Sequence, residues 1–212
     1  MKKYSTILFD FDGTIANSET ALLDSVKEAV THHGCDYEKN KKVFMVRAGQ
    51  PMGEIYIELF GKEVGLRIRQ TQLDVQHKHF HKYTLLDGAL DTLRLLKKHQ
   101  ISTAIVTSAN TKKIEALLTT LKISDYFDHL ITIDNVKEAK PHPEGILKAM
   151  SSLHAKPDSS LMVGDSEADI KAATNAGIDS VLLLNDLVHL HDISPTYTIQ
   201  QFDQLLPIVG VQ

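Results

Sequence analysis

The stretch Ser5-Thr6-Ile7-Leu8-Phe9-Asp10-Phe11-Asp12-Gly13-Thr14 drives an apolar, β-branched run straight into two carboxylates and a glycine. Thr6 to Phe9 has the length and content of a fully buried strand at the centre of a parallel sheet. Asp10 then stands at the strand's carboxyl end, with Asp12 on the loop beyond. Ligands bind at this edge of open α/β sheets, so both acids are expected to face a crevice. One carboxylate can attack phosphorus, the second can pass a proton to a leaving oxygen, and such oxygen-rich sites hold Mg²⁺. An isolated Asp-x-Asp-Gly reads instead as a solvated turn with Gly13 at positive φ. The strand before the pair, Thr14 after it and three segments downstream tell against that alternative.

Past Thr14 the periodicity turns helical. Ala21, Leu22, Val26, Ala29 and Val30 mark an amphipathic helix ending near His33-Gly34, Pro51 to Phe60 marks another, and Glu63 to Tyr83 is one long helix or two short ones. No strand is expected between Ala16 and Tyr83, and a βαβ crossover needs far fewer residues than this block. Residues 16–85 are therefore read as a small all-helical domain inserted after the first strand, and residues 1–15 with 86–212 as an α/β core. From Leu86 onward strands at 102–106, 129–133, 160–163, 180–184 and 197–199 alternate with helices at 88–99, 112–121, 143–153 and 167–176. That alternation predicts a doubly wound parallel sheet covered on both faces.

Three further segments sit where strands give way to loops. Thr107-Ser108-Ala109-Asn110 ends a strand and opens a helix, whose free N–H groups suit a phosphate; plain capping by Ser108 or Asn110 is the alternative. In Glu138-Ala139-Lys140-Pro141-His142-Pro143 the proline keeps Lys140 out of the helical region, although a lone loop lysine is ordinarily solvated. Gly164-Asp165-Ser166-Glu167-Ala168-Asp169 again places acids after a buried strand. Asp165 and Asp169 share a face if the helix starts near Ser166, or simply balance the helix dipole.

The chain has 212 residues and a formal charge of −4, which leaves no electrostatic footprint for nucleic acid or an anionic membrane. No apolar run has the length of a membrane span, and the lone cysteine, Cys35, forms no internal disulfide, so a reducing cytoplasm is expected. His77, His79 and His81 resemble a metal tract, but on an α-helix only His77 and His81 share a face. They are read as surface, as are His189 and His191.

Phe9-Asp10-Phe11-Asp12-Gly13-Thr14, with the threonine, lysine and second acidic segments following in order, resembles the signature of the haloacid dehalogenase superfamily. Within it the chain is similar to the small phosphatases that resemble phosphoglycolate phosphatase. The resemblance implies a Rossmann-like core and a helical cap, with Asp10 as nucleophile, Asp12 as general acid and base, and Lys140 neutralising the transferring group. It implies Mg²⁺ held by Asp10, the Asp12 carbonyl and Asp165, with Asp169 bound through water or hydrogen-bonded to Lys140. It also implies that Thr107 and Ser108 bind phosphate oxygens with Asn110 nearby, and that the Lys140–Pro141 bond is cis.

The expected reaction is hydrolysis of a small phosphorylated metabolite through an aspartyl-phosphate, by a monomer or homodimer that binds neither nucleic acid nor membrane. Alternatives are a phosphomutase of the β-phosphoglucomutase type, a pyrophosphatase, a phosphonate hydrolase using a cap lysine (Lys27, Lys39, Lys41 or Lys42), or a non-catalytic phosphate-binding module. Arg47, in Val46-Arg47-Ala48-Gly49-Gln50-Pro51, is the candidate substrate-reading residue of the insert. Its alternative is a surface arginine paired with an acid such as Glu54.

Overall fold

The computed structural model describes residues 4–47, 51–184 and 193–211. Two compact units emerge, one of Met1–Asn17 with Leu85–Gln212 and one of Ser18–Thr84. In chain order the elements are β1 (Thr6–Phe9), β2 (Ala16–Asn17), α1 (Glu19–His32), α2 (Tyr37–Val46), α3 (Met52–Phe60), α4 (Lys62–Val75) and β3 (Thr84–Leu85). They continue with α5 (Ala89–Lys98), β4 (Ser102–Val106), α6 (Thr111–Leu121), β5 (His129–Ile131), α7 (Glu144–Ser152), β6 (Ser160–Gly164), α8 (Glu167–Ala176), β7 (Asp179–Leu183), β8 (Tyr197–Ile199) and α9 (Leu205–Val209).

The larger unit is built on a six-stranded sheet of order β5-β4-β1-β6-β7-β8, with every pairing parallel. All four residues of β1 are buried, as a central strand covered on both faces requires. Alternation sends Leu8 into a cluster with Ala104, Val106, Met162, Ile146, Ala149 and Ala173, under α7 and α8. Phe9 points the other way and stacks on Phe202 at 5.9 Å between ring centroids. The chain winds from β1 out to β4 and β5, then returns to the far side of β1 with β6, so the order reverses at β1. Such a switch point opens a crevice at the carboxyl ends of the strands. Register fixes its occupants: Phe9 lies opposite both Ile105 and Val163, so Asp10, Thr107 and Asp165 follow the ends of three adjacent strands.

The smaller unit is helical and holds its own core of Val26, Ala29, Val30, Phe44, Ile55, Tyr56 and Ile68. The two-residue strand β2, Ala16–Asn17, stands where no strand was expected, and two features of the helical unit also differ from the sequence expectation. Helix α2 is hidden in the periodicity because only Tyr37 and Phe44 of its ten residues are buried; those two rings stack at 5.7 Å, and Asp36 caps the helix by accepting from the Lys39 N–H. The segment after α4, Gln76–Lys82, is a 3₁₀ helix. At three residues per turn His77 and His81 share no face, so the α-helical geometry assumed for the three histidines is corrected. In their place, His79 and Lys78 meet Glu28 at 3.0 and 2.6 Å, and Lys82 pairs with Asp24. His189, His191 and the loop Ala48-Gly49-Gln50 lie outside the described residues. No helix among the described residues is long and apolar enough to cross a membrane.

Candidate active site

Lys140 organises the crevice. Its Nζ donates to Asp10 Oδ1 at 2.7 Å, to Asp169 Oδ1 at 2.5 Å and to the Val106 carbonyl at 3.0 Å. An ammonium has three N–H donors and no acceptor, so this environment satisfies it completely. The Lys140–Pro141 peptide bond is cis. Burial works against the charge of Lys140, but Asp10 and Asp169 outweigh it and hold its pKa above the ordinary lysine value.

The loop leading to this lysine is held by Glu144, whose Oε2 accepts from the Lys137 and Glu138 N–H groups at 2.9 and 3.1 Å. Its Oε1 pairs with Lys148 at 2.8 Å. Lys148 and these two amides draw the Glu144 pKa down to about 2. A carboxylate with a depressed folded-state pKa contributes stability that is fully present above its unfolded value and is lost as pH falls through the folded one. Glu144→Gln should therefore speed hydrogen exchange at the Lys137 and Glu138 amides near neutral pH. The difference from wild type should shrink between about pH 4.5 and 2, measured by mass spectrometry with the intrinsic exchange rate corrected for pH.

Asp10, Asp165 and Asp169 each present a carboxylate oxygen within 4.8 Å of the others. Burial chiefly pushes Asp10 up, Lys140 pulls it back and Asp169 pushes again, leaving its pKa at about 6. Asp165 is pushed up to about 8 by burial first and then by the charges of Asp10 and Asp169. Three carboxylates face one ammonium, so with all three ionised the site would hold an excess of two negative charges in a largely dry place, which is why burial and mutual repulsion push these acids up. Hard oxygen donors with that excess fit a divalent cation such as Mg²⁺.

The two acids after β6 do different work. Asp169 is fully buried, and both its oxygens are engaged: Oδ1 with Lys140, Oδ2 with the Ser166 hydroxyl at 2.5 Å and the Ser166 N–H at 3.1 Å. Ser166 in turn accepts from the Asp169 N–H, closing a capping box at the start of α8. The hydrogen bond to Lys140 is one of the two routes expected for Asp169. Asp165 accepts from the Thr14 hydroxyl at 3.0 Å, tying the loop after β6 to the loop after β1. Glycine is required at two places here, in the loop after β1 and at the last residue of β6. Gly13 has φ +81°, and a Cβ there would collide with the Asp165 carboxylate, while one on Gly164 would collide with Asp169.

Asp12 stands apart from that cluster. Its Oδ2 accepts from Lys113 Nζ at 2.7 Å, and its Oδ1 is buried without a hydrogen-bond partner. Lys113 is the member of this constellation that sequence reading missed, because the second lysine of a Lys-Lys pair in a helix carries no local signal. Thr107 is buried and its hydroxyl accepts from the Ala109 N–H at 3.1 Å, while Ser108 is exposed. Asn110 is the N-cap of α6, accepting from the Lys113 N–H at 2.9 Å, so the capping alternative describes its side-chain oxygen. Arg47 ends α2 and pairs with Glu58 at 2.7 Å, an ion pair of the kind its alternative reading named, with Glu58 in place of Glu54.

Residues 7–183 match the family model described as haloacid dehalogenase-like hydrolase. The pyrophosphatase PpaX of Bacillus mycoides (strain KBAB4) is 31% identical over 214 residues, covering 98% of each chain. Two solved structures superpose over nearly the whole molecule. The haloacid dehalogenase-like family protein SP0104 from Streptococcus pneumoniae does so with TM-score 0.85 at 21% identity, covering 98% of this chain and 99% of that one. A predicted phosphoglycolate phosphatase from Haemophilus somnus 129PT gives 0.84 at 24% identity, covering 99% and 100%. With 177 consecutive residues spanned by one family model, and a switch-point crevice that gathers Asp10, Asp165, Asp169 and Lys140, the chain belongs to the haloacid dehalogenase-like hydrolases and is an enzyme equipped as a phosphatase.

Proposed function

We propose that the protein is a Mg²⁺-dependent phosphatase that hydrolyses a small phosphorylated metabolite through an aspartyl-phosphate on Asp10. The observation that supports this most directly is Asp10 itself: a carboxylate at the switch point, oriented by a buried ammonium through a 2.7 Å bond. Asp10 attacks phosphorus, the bond to the leaving oxygen breaks, and Asp12 supplies the proton that oxygen takes up. Water then gives a proton to Asp12 and attacks the same phosphorus, which frees phosphate and restores Asp10. Lys140 offsets charge on the nucleophile and the transferring group, while the Thr107 hydroxyl and Ser108 N–H hold phosphoryl oxygens at the start of α6.

Asp10, Asp165 and the Asp12 carbonyl would hold the cation, with Asp169 acting through Lys140 and Ser166. When bound, the cation supplies charge neutralisation and orientation for the phosphoryl group. The ion pair of Arg47 with Glu58 is solvent-accessible and worth at most about 1 kcal/mol, so Arg47 could exchange that partner for a substrate anion. Pyrophosphate ranks beside phosphoglycolate as substrate, because the relatives aligned over 98% of the chain are named pyrophosphatases.

A screen of phosphorylated metabolites, including pyrophosphate, phosphoglycolate and sugar phosphates, tests the reading by phosphate release with Mg²⁺ and with chelator. Turnover that chelator abolishes is the expected result. Absence of turnover on every compound, or turnover indifferent to chelator, would overturn it.

A further inference from the structure

We propose that Lys113 determines specificity by reading negative charge on the leaving group, so that preferred substrates carry a second anionic centre next to the leaving oxygen, as inorganic diphosphate does. The proposal rests on the reading of Asp12 as the acid that meets that oxygen.

Lys113 is the third residue of α6, and Asn110 fixes its backbone by accepting its N–H. A cation in the first turn opposes the helix dipole, and α6 has no acid in that turn to compensate. The side chain is also only 14% exposed, so the ammonium is largely removed from water as well. Asp12, 2.7 Å away, offsets these costs.

That contact fixes where the charge lies relative to the reaction. An acid must reach the leaving oxygen within hydrogen-bond distance, so the Lys113 ammonium lies within about two hydrogen-bond lengths of that oxygen. An anionic group bonded to the leaving oxygen therefore meets a cation in a site where water screens poorly. Lys140 cannot take this part, since its three donors go to Asp10, Asp169 and the Val106 carbonyl. At Lys113, one bond to Asp12 and one to a substrate oxygen can coexist, because an ammonium donates three times. A neutral leaving group adds no anion for the ammonium to meet.

The test compares kcat and KM for diphosphate and for phenyl phosphate, whose leaving group has no second anion, in the full chain with Mg²⁺. Lys113→Met removes charge and hydrogen bond together, Lys113→Gln keeps a donor for Asp12 but removes the charge, and Lys113→Arg keeps the charge. For both neutral variants kcat/KM on diphosphate should fall at least about tenfold further than on phenyl phosphate, mainly through KM, and Lys113→Arg should recover most of the difference. If Lys113→Met does not fold, Lys113→Gln carries the comparison. Equal losses on both substrates, an arginine variant as poor as the glutamine one, or a wild type that hydrolyses phenyl phosphate but not diphosphate would each overturn the proposal. Retained activity in Asp10→Asn, run in the same assay, would instead overturn the aspartyl-phosphate reading beneath it, and absence of turnover on every compound by the wild type would overturn the phosphatase reading.

Discussion

Asp10→Asn should reduce kcat by more than the about 10²–10⁴-fold that follows loss of an acid–base group, because it removes the nucleophile and with it the covalent route. The amide oxygen can still accept the Lys140 bond seen at 2.7 Å, so the side chain should keep its place. It also takes one negative charge out of a cluster where three carboxylates lie within 4.8 Å. The melting temperature should accordingly hold or rise while turnover disappears. Steady-state phosphate release and a thermal melt, both on the purified variant, separate the two effects. More than a tenth of wild-type activity surviving would show that another group attacks phosphorus.

Lys140→Met should cost both activity and stability. The methionine fills much of the same volume, but Asp10 and Asp169 lose their shared cation while remaining buried, at 8% and 0% exposure. Removing one partner from a buried ion pair typically costs about 3–5 kcal/mol, since the remaining charge is left uncompensated. Denaturant unfolding in the presence of chelator should show that loss as a lower midpoint with little change in slope. Added divalent cation should recover part of it, by linkage to a site that has become still more negative. Lys140→Arg should not restore activity, because a planar guanidinium cannot direct three donors to the acceptors that surround a single ammonium nitrogen. An unchanged midpoint for Lys140→Met would mean that the bonds to Asp10 and Asp169 contribute nothing net.

These expectations draw on different levels of structure, and the division follows from the range over which each signal acts. Strand β1 was legible because four buried residues in a row, bounded by an acid and a glycine, encode their own conformation and burial. The α/β alternation after Leu86 was legible for the same reason, since each element carries its period locally. Helix α2 was not, because two aromatic residues seven apart bury themselves against a core that the local polar pattern does not reveal. The 3₁₀ course of Gln76–Lys82 was hidden likewise, its cations being placed by Glu28 and Asp24 from another helix.

In the site, the sequence by itself determined that Asp10, Thr107 and Asp165 end apolar strands, and a parallel sheet with its switch point at β1 brings such ends to one edge. Asn110 and Ser166 as caps were likewise local matters of a polar side chain before a helical run. Only the tertiary structure decided which acid takes which partner. Lys140 meets Asp10 across 130 positions, Thr14 meets Asp165 across 151, and Lys113 meets Asp12 across 101. Bonds over such separations depend on strand register and helix placement, and Lys113 in particular becomes a functional candidate only when α6 carries it to a carboxylate that was set in place by the first strand.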